Sequence, residues 1–299
     1  MLSSPRPNLF IIGAMKSGTS SLHSYLGAHP SIFMSFPKEP SYFVARAQLR
    51  SIWPQMEKRG YWKAEENYLE LFRKAGDARI IGEASTNYSK LPRITGVAER
   101  IARFNPEARI IYIMRDPVER TISHYWHMAA LHSEAREILP AIRQDRHYRE
   151  VSHYALQLAP YLKLFGAANL RTLTFEALKS SPLAVAHDIF AWLGVDPTFV
   201  PPNIGHRANV TPKAVLQARG VGVLRQFRYS RVWDILGPVI PAGIRAAGRN
   251  LSEKTVNRSS VELDEVITLL RGPQRDQTEE LSAMLGRDFR EWKTLYGSS

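Results

Sequence analysis

The sequence contains no cysteine, which excludes a disulfide framework and any thiolate-ligated metal site and fits a reducing compartment. It also lacks any apolar run near the ~20 residues that a membrane span requires. The longest suspicious piece, residues 235–244, is short and interrupted by Pro238 and Pro241. The first strand pattern begins by Leu9, so no signal peptide is expected. Internal repeats and low-complexity tracts are missing too. Acidic residues are in deficit, 28 against 40 basic ones, for a formal charge of +12. That balance favours anionic partners (nucleic acid, a membrane surface, an anionic cofactor, an acidic acceptor) and equally serves solubility. What is present is apolar enough, at 44% of 299 residues, to bury a sizeable core in one large domain or two smaller ones. A soluble, cytoplasmic protein is expected.

The most informative stretch is Phe10-Ile-Ile-Gly-Ala-Met-Lys16-Ser17-Gly18-Thr19-Ser20-Ser21-Leu22. The run Leu9–Ile12 is short and β-branched, as in a buried parallel strand. A small turn follows, and then Leu22, Tyr25, Leu26 and His29 recur at helical spacing. Strand, turn and helix start in this order aim backbone N–H groups and the positive end of a helix dipole at one point, which suits a phosphate-like anion. The order differs from a triphosphatase loop, where lysine follows the second glycine; here Lys16 precedes Gly18. A small-residue β–α turn that binds nothing is the bland alternative.

Further strands are expected at 79–82, 108–114 and 170–174, and helices at 94–104, 117–131, 152–165 and 182–193. Residues 31–43 read as an extended loop and 45–75 as partly helical. Asp116 and Pro117 supply an N-cap and a first helical residue. Alternation of strands and helices implies a parallel sheet with right-handed crossovers, and ligands in such sheets bind beyond the strands' carboxyl ends. The anion loop and Arg115 both stand at such ends. Beyond Gly194 the composition shifts: 196–212 is rich in Pro and Asn, 213–249 is basic with Gly breaks, and 261–296 is helical on either side of Gly272-Pro273. The Arg/aromatic mix of Arg225, Phe227, Arg228, Tyr229, Arg231 and Trp233 fits nucleic-acid or membrane contact, or a partly packed helix with a basic face.

Four stretches together carry a family resemblance: Gly13-Ala-Met-Lys-Ser-Gly-Thr-Ser-Ser, Lys38-Glu-Pro-Ser-Tyr-Phe, Arg115-Asp-Pro-Val-Glu-Arg-Thr-Ile-Ser123-His-Tyr, and Tyr154-Ala-Leu-Gln-Leu-x-x-Tyr-Leu. They resemble the sulfotransferases that use 3′-phosphoadenosine 5′-phosphosulfate (PAPS), in the branch of heparan sulfate and related bacterial carbohydrate sulfotransferases. The resemblance implies a P-loop-like three-layer α/β/α fold with a central parallel sheet, followed by a mainly helical C-terminal region. It implies one domain over 1–299, with an α/β core and cofactor site in 1–194; beyond what the resemblance covers, 195–260 reads as a lid, an acceptor-binding insertion or an interface, and 261–299 as C-terminal helices. PAPS would be the donor and adenosine 3′,5′-bisphosphate the product, with no metal required. Lys16 would stabilise the leaving group, with Ser17, Gly18, Thr19, Ser20 and Ser21 on the 5′-phosphate, Arg115 and Ser123 on the 3′-phosphate, and Glu39 as general base. The acceptor would be a hydroxyl or amine of a carbohydrate, lipid or small natural product.

On residue chemistry alone other assignments stay open. Arg115 can pair with Asp116 or Glu119, Glu39 can form a surface ion pair with Lys38, and His124, His127 or His153 can replace Glu39 as the base. One departure stands out: the heparan-type enzymes often carry lysine after the second-strand glutamate, where this chain has Glu83-Ala84. No C-terminal Lys-Gly-Arg loop is matched either, with Arg207 and Lys213 as substitutes. A nucleotide kinase is the rival enzyme, opposed by the lysine position and the lack of a Mg²⁺-binding pair. A nucleic-acid-binding protein would account for the charge but has no supporting motif. The C-terminal helices can pack on the core or on a second subunit in a homodimer.

Overall fold

Alternation within the strands builds two cores at once. In β1 (Leu9–Gly13) and β4 (Arg109–Met114), Phe10, Ile12, Ile110, Tyr112 and Met114 enter one apolar cluster, and Leu9, Ile11, Ile111 and Ile113 the other. A strand buried on both faces has to be apolar throughout, which is why these runs show no polar alternation. The computed structural model describes residues 5–53, 56, 59–131, 133–206, 212–218 and 253–297. Five parallel strands form the sheet in the order β2-β3-β1-β4-β5, completed by β2 (Ile32–Met34), β3 (Ile80–Ala84) and β5 (Leu170–Thr174). The three-layer α/β/α expectation holds.

On one face lie α1 (Thr19–Leu26), α9 (Phe175–Ser180) and α10 (Pro182–Leu193). The other face packs α4 (Val97–Phe104), α5 (Pro117–Ala130) and α8 (Tyr154–Phe165), with α2 (Arg46–Ile52) and α3 (Glu65–Leu69) at the β3 side. Short helices α6 (Ile138–Gln144) and α7 (His147–Glu150) join α5 to α8. The chain runs leftward from β1 to β2 and β3 and then crosses to β4, so the β1/β4 boundary is the topological switch point, the place at the carboxyl edge where open α/β sheets bind ligands.

Several elements differ from the sequence expectation. Residues 32–34 are a strand, since three residues paired to β3 are too few to show a period. Strand β3 extends two residues past Gly82, because the Glu83 carboxylate is buried and hydrogen-bonded rather than solvated. An antiparallel hairpin pairs β6 (Ala214–Ala218) with β7 (Glu253–Asn257), in a region read only as basic. Helix α11 (Asp264–Leu285) passes straight through Pro273. Proline removes one hydrogen bond there, but Val266, Leu270, Gln274, Thr278 and Leu281 are buried along one face and carry the helix on. A short α12 (Lys293–Tyr296) closes the described chain. The proposed basic-aromatic stretch at 225–233 and Arg207 lie outside the described residues. Among the described residues, no helix is long and apolar enough to cross a membrane.

Candidate active site

Three segments leave the carboxyl edge of the sheet, after β1, β4 and β2, and meet. The first is the loop between β1 and α1. Its turn is fixed by Ala14 N–H on the Ile113 carbonyl (2.7 Å) and Ser17 N–H on the Ala14 carbonyl (3.1 Å). Gly18 occupies the helix N-cap position with φ 91°, and no side chain caps α1. A Cβ at Gly18 would stand 2.9 Å from Phe175 Cδ2, so the loop is pressed against α9. Ser17 is fully buried and its Oγ has no hydrogen-bond partner. A buried hydroxyl without a partner is costly, and an anion oxygen in the loop would satisfy it. Thr19, Ser20 and Ser21 form the first turn of α1, at the positive end of its dipole.

The second segment is Arg115-Asp116 after β4. Arg115 Nη1 reaches the Lys16 carbonyl at 3.4 Å, Nη2 donates to Glu119 Oε2 at 2.8 Å, and the guanidinium lies 4.9 Å over the Phe175 ring. Its Nε is buried without a partner. The Arg115–Glu119 pairing therefore forms, yet it leaves part of the planar fork for a further acceptor. The Tyr154 hydroxyl clamps the Arg115 backbone, donating to its carbonyl at 2.6 Å. Ser123 is half-buried one turn beyond Glu119 on α5. Burial, and then the charges of Arg115 and Arg258, pull the Lys16 ammonium down from 10.5 to about 8. Three cations thus crowd one place, an arrangement that an anion would relieve.

The third segment follows β2. Glu39 N–H donates to the Ala84 carbonyl at 3.0 Å, and the Glu39 carboxylate is held from both sides. Thr86 N–H and Oγ1 donate to Oε2 at 2.7 and 3.3 Å, and Lys38 Nζ donates to Oε1 at 2.8 Å. The same Lys38 Nζ donates to Thr19 Oγ1 at 3.2 Å, tying this carboxylate to the anion loop. The Lys38–Glu39 ion pair is real, with both side chains one-fifth exposed. Among the described residues, the three non-glycine residues with positive φ are Lys16 (71°), Glu39 (62°) and Ser41 (54°). Each such conformation costs about 1–3 kcal/mol and persists where the surroundings over-determine it, commonly at functional sites.

Of the alternative bases, His124 is interior, packed on His147 and Tyr148 and pushed well below the ordinary histidine value by burial and Arg120. His153 flanks α8, under the charges of Arg149 and Arg120. His127 is half-buried and within electrostatic reach of the same groups: burial, then Lys16 and Lys90, lower it to about 4 while Glu39 acts the other way. Ala84 is fully buried in the α1-side core and supplies no charge. Lysines nearby are Lys38 and Lys90, the latter buried, hydrogen-bonded to Asn87 Oδ1 at 2.7 Å and held near 8 by burial against the pull of Glu39. Sequence reading missed Lys90, Thr86 and Arg258. Thr86 stands within the Glu83-Ala-Ser-Thr-Asn-Tyr motif, but the long-range return of Arg258 through the hairpin has no local signal. Lys213 is exposed, and its carbonyl accepts the Arg258 N–H at 3.0 Å.

Residues 7–199 match the model of the Sulfotransferase family. The bifunctional heparan sulfate N-deacetylase/N-sulfotransferase 4 of Mus musculus is 26% identical over 209 residues, covering 64% of this chain and 23% of that protein. Carbohydrate sulfotransferase 15 of Homo sapiens is 26% identical over 259 residues, covering 64% of this chain and 44% of that protein. This chain thus spans less than half the length of these curated relatives. A sulfotransferase crystal structure from Alicyclobacillus acidocaldarius superposes with a TM-score of 0.68 at 26% identity, covering 97% of this chain and 99% of that one.

Proposed function

Because the chain belongs to the sulfotransferase family, we propose that it transfers a sulfuryl group from PAPS to a hydroxyl or amine of a carbohydrate acceptor. The observation that carries this reading is the contact between two anion-binding segments, Arg115 Nη1 on the Lys16 carbonyl at 3.4 Å. Two anion-binding segments side by side suit a nucleotide that carries phosphate on both the 3′ and the 5′ position of its ribose. Bound there, PAPS supplies a sulfuryl group on a phosphate leaving group.

The chain's own residues do the rest. Ser17, Gly18, Thr19, Ser20 and Ser21 hold the 5′-phosphate by hydroxyls, amides and the dipole of α1. Lys16 offsets negative charge as it grows on the leaving oxygen, a preorganised electrostatic contribution. Arg115, with Ser123, reads the 3′-phosphate through its planar fork. Glu39 accepts the acceptor's proton, kept in place by Thr86 and Lys38. The sugar acceptor is favoured by the heparan sulfate and carbohydrate enzymes among the relatives.

Incubation with sulfur-labelled PAPS and a panel of oligosaccharides tests the reading. Label should pass to at least one acceptor, and Lys16→Ala should lower turnover by about 10²–10³-fold. A Lys16→Ala enzyme that turns over at the wild-type rate removes the assignment.

A further inference from the structure

The end of the chain is keyed into the Arg115 motif. Phe289, Trp292 and Leu295 are all but fully buried, and the polar groups around them are specific. Leu295 N–H donates to Asp116 Oδ2 at 2.9 Å, and Thr294 Oγ1 donates to Glu119 Oε1 at 3.0 Å. Trp292 Nε1 donates to Glu176 Oε2 at 3.3 Å, while the other oxygen of Glu176 accepts the Asp116 N–H at 3.0 Å. The Trp292 ring also packs 5.7 Å from Tyr154, whose hydroxyl clamps the Arg115 backbone. From the far side, Arg271 and Arg275 on α11 donate to the carbonyls of Thr294 and Leu295. These bonds converge on residues 115–119 from one direction.

Glu119 is the hinge of the arrangement. One carboxylate oxygen holds Arg115 Nη2 and the other holds Thr294. Burial works against its charge, but Arg115 and Thr294 outweigh it and keep the carboxyl below its ordinary range. An i,i+4 ion pair with a carboxylate 45% exposed is by itself too weak to fix a guanidinium. A second anchor on the same carboxylate removes its freedom to swing into solvent.

We propose that the C-terminal segment 289–297 is a positioning device for the donor site: through Thr294 and Glu119 it sets the Arg115 guanidinium in the orientation that selects nucleotides bearing a 3′-phosphate. The inference rests on Arg115 as the 3′-phosphate ligand. It makes Thr294 a determinant of nucleotide selectivity from a position that touches no nucleotide.

The test compares the full-length protein's Kd for adenosine 3′,5′-bisphosphate with its Kd for adenosine 5′-phosphate, which lacks the 3′ group. Thr294→Val keeps the side chain's shape and removes the hydroxyl; Thr294→Ser restores it. Thr294→Val should reduce the selectivity ratio by about 5–10-fold, the loss expected for a displaced charge-assisted hydrogen bond. Thr294→Ser should return it to within about 2-fold of wild type, on the same scale. An unchanged ratio in Thr294→Val, or equal weakening of both nucleotides, overturns the inference. Arg115→Ala separates the two layers: if it abolishes the ratio, the 3′-phosphate reading stands whatever Thr294 does. If it leaves the ratio at the wild-type value, that reading falls and the inference with it.

Discussion

Lys16 is pressed by two circumstances at once. Burial removes its solvation, and Arg115 and Arg258 add like charge, so its ammonium titrates near 8. The proposed role, binding an anion and stabilising a leaving oxygen, requires the charged form. At pH below 8 it predominates; above 8 it is lost tenfold per unit. The kcat/KM for PAPS should therefore bend downward with an apparent value near 8. Lys16→Arg, which stays charged, should push that bend beyond the measurable range at a lower overall rate. A profile flat to pH 10 in the wild-type enzyme contradicts the assignment. At Glu39 the expected outcome is different: Glu39→Gln should lose about 10²–10⁴-fold in turnover while its Kd for adenosine 3′,5′-bisphosphate stays near wild type. Full activity in that variant would move the proton-accepting role to His127, which feels the charges of both Lys16 and Glu39.

At the scale of elements, the β1–α1 loop depends on a backbone shape that only glycine adopts cheaply. Gly18 has φ 91° and a neighbour 2.9 Å from its missing Cβ. Gly18→Ala should cost about 1–3 kcal/mol and lower Tm by about 2–8 °C, with weaker bisphosphate binding; an unchanged melting curve would show the loop to be slack. This loop was legible from sequence because its signals are local: an apolar strand, small residues and the Leu22/Tyr25/Leu26 spacing. The start of α5 was legible for the same reason, Asp116 and Pro117 being adjacent cap and first-turn residues. Strand β2, the β6–β7 hairpin and the continuity of α11 were not, since each depends on a partner distant in sequence. The site followed the same division. Lys16, Glu39 and Arg115 sit in recognisable motifs, whereas Arg258, whose charge acts on Lys16, and Lys90, whose charge acts on His127, come from segments without one.

Across the whole molecule, the segment that carries Glu39 rests on a buried acid. Glu83 is fully buried and accepts hydrogen bonds from Tyr68, Tyr88 and Ser85, and the Tyr88 and Ser85 hydroxyls in turn receive the Phe43 and Ser41 amides. Burial outweighs these hydroxyls and raises Glu83 from 4.5 to about 7. Because the native state holds that proton more tightly than the unfolded chain, the contribution is complete below pH 4.5 and is lost as pH rises through 7. It amounts to about 3 kcal/mol. Urea unfolding across that range should show stability falling with pH more steeply in wild type than in Glu83→Gln. Equal slopes would mean that Glu83 is ionised in the fold throughout.

The most direct test of the central claim is a nucleotide-binding comparison on the intact protein. Thermal shift and calorimetry with adenosine 3′,5′-bisphosphate, with ATP and Mg²⁺, and with an oligonucleotide place three chemistries against one cleft. The two-phosphate reading of Lys16 and Arg115 predicts stabilisation and tight binding by the bisphosphate, with little from the other two. Stabilisation by ATP with Mg²⁺ but not by the bisphosphate would contradict it.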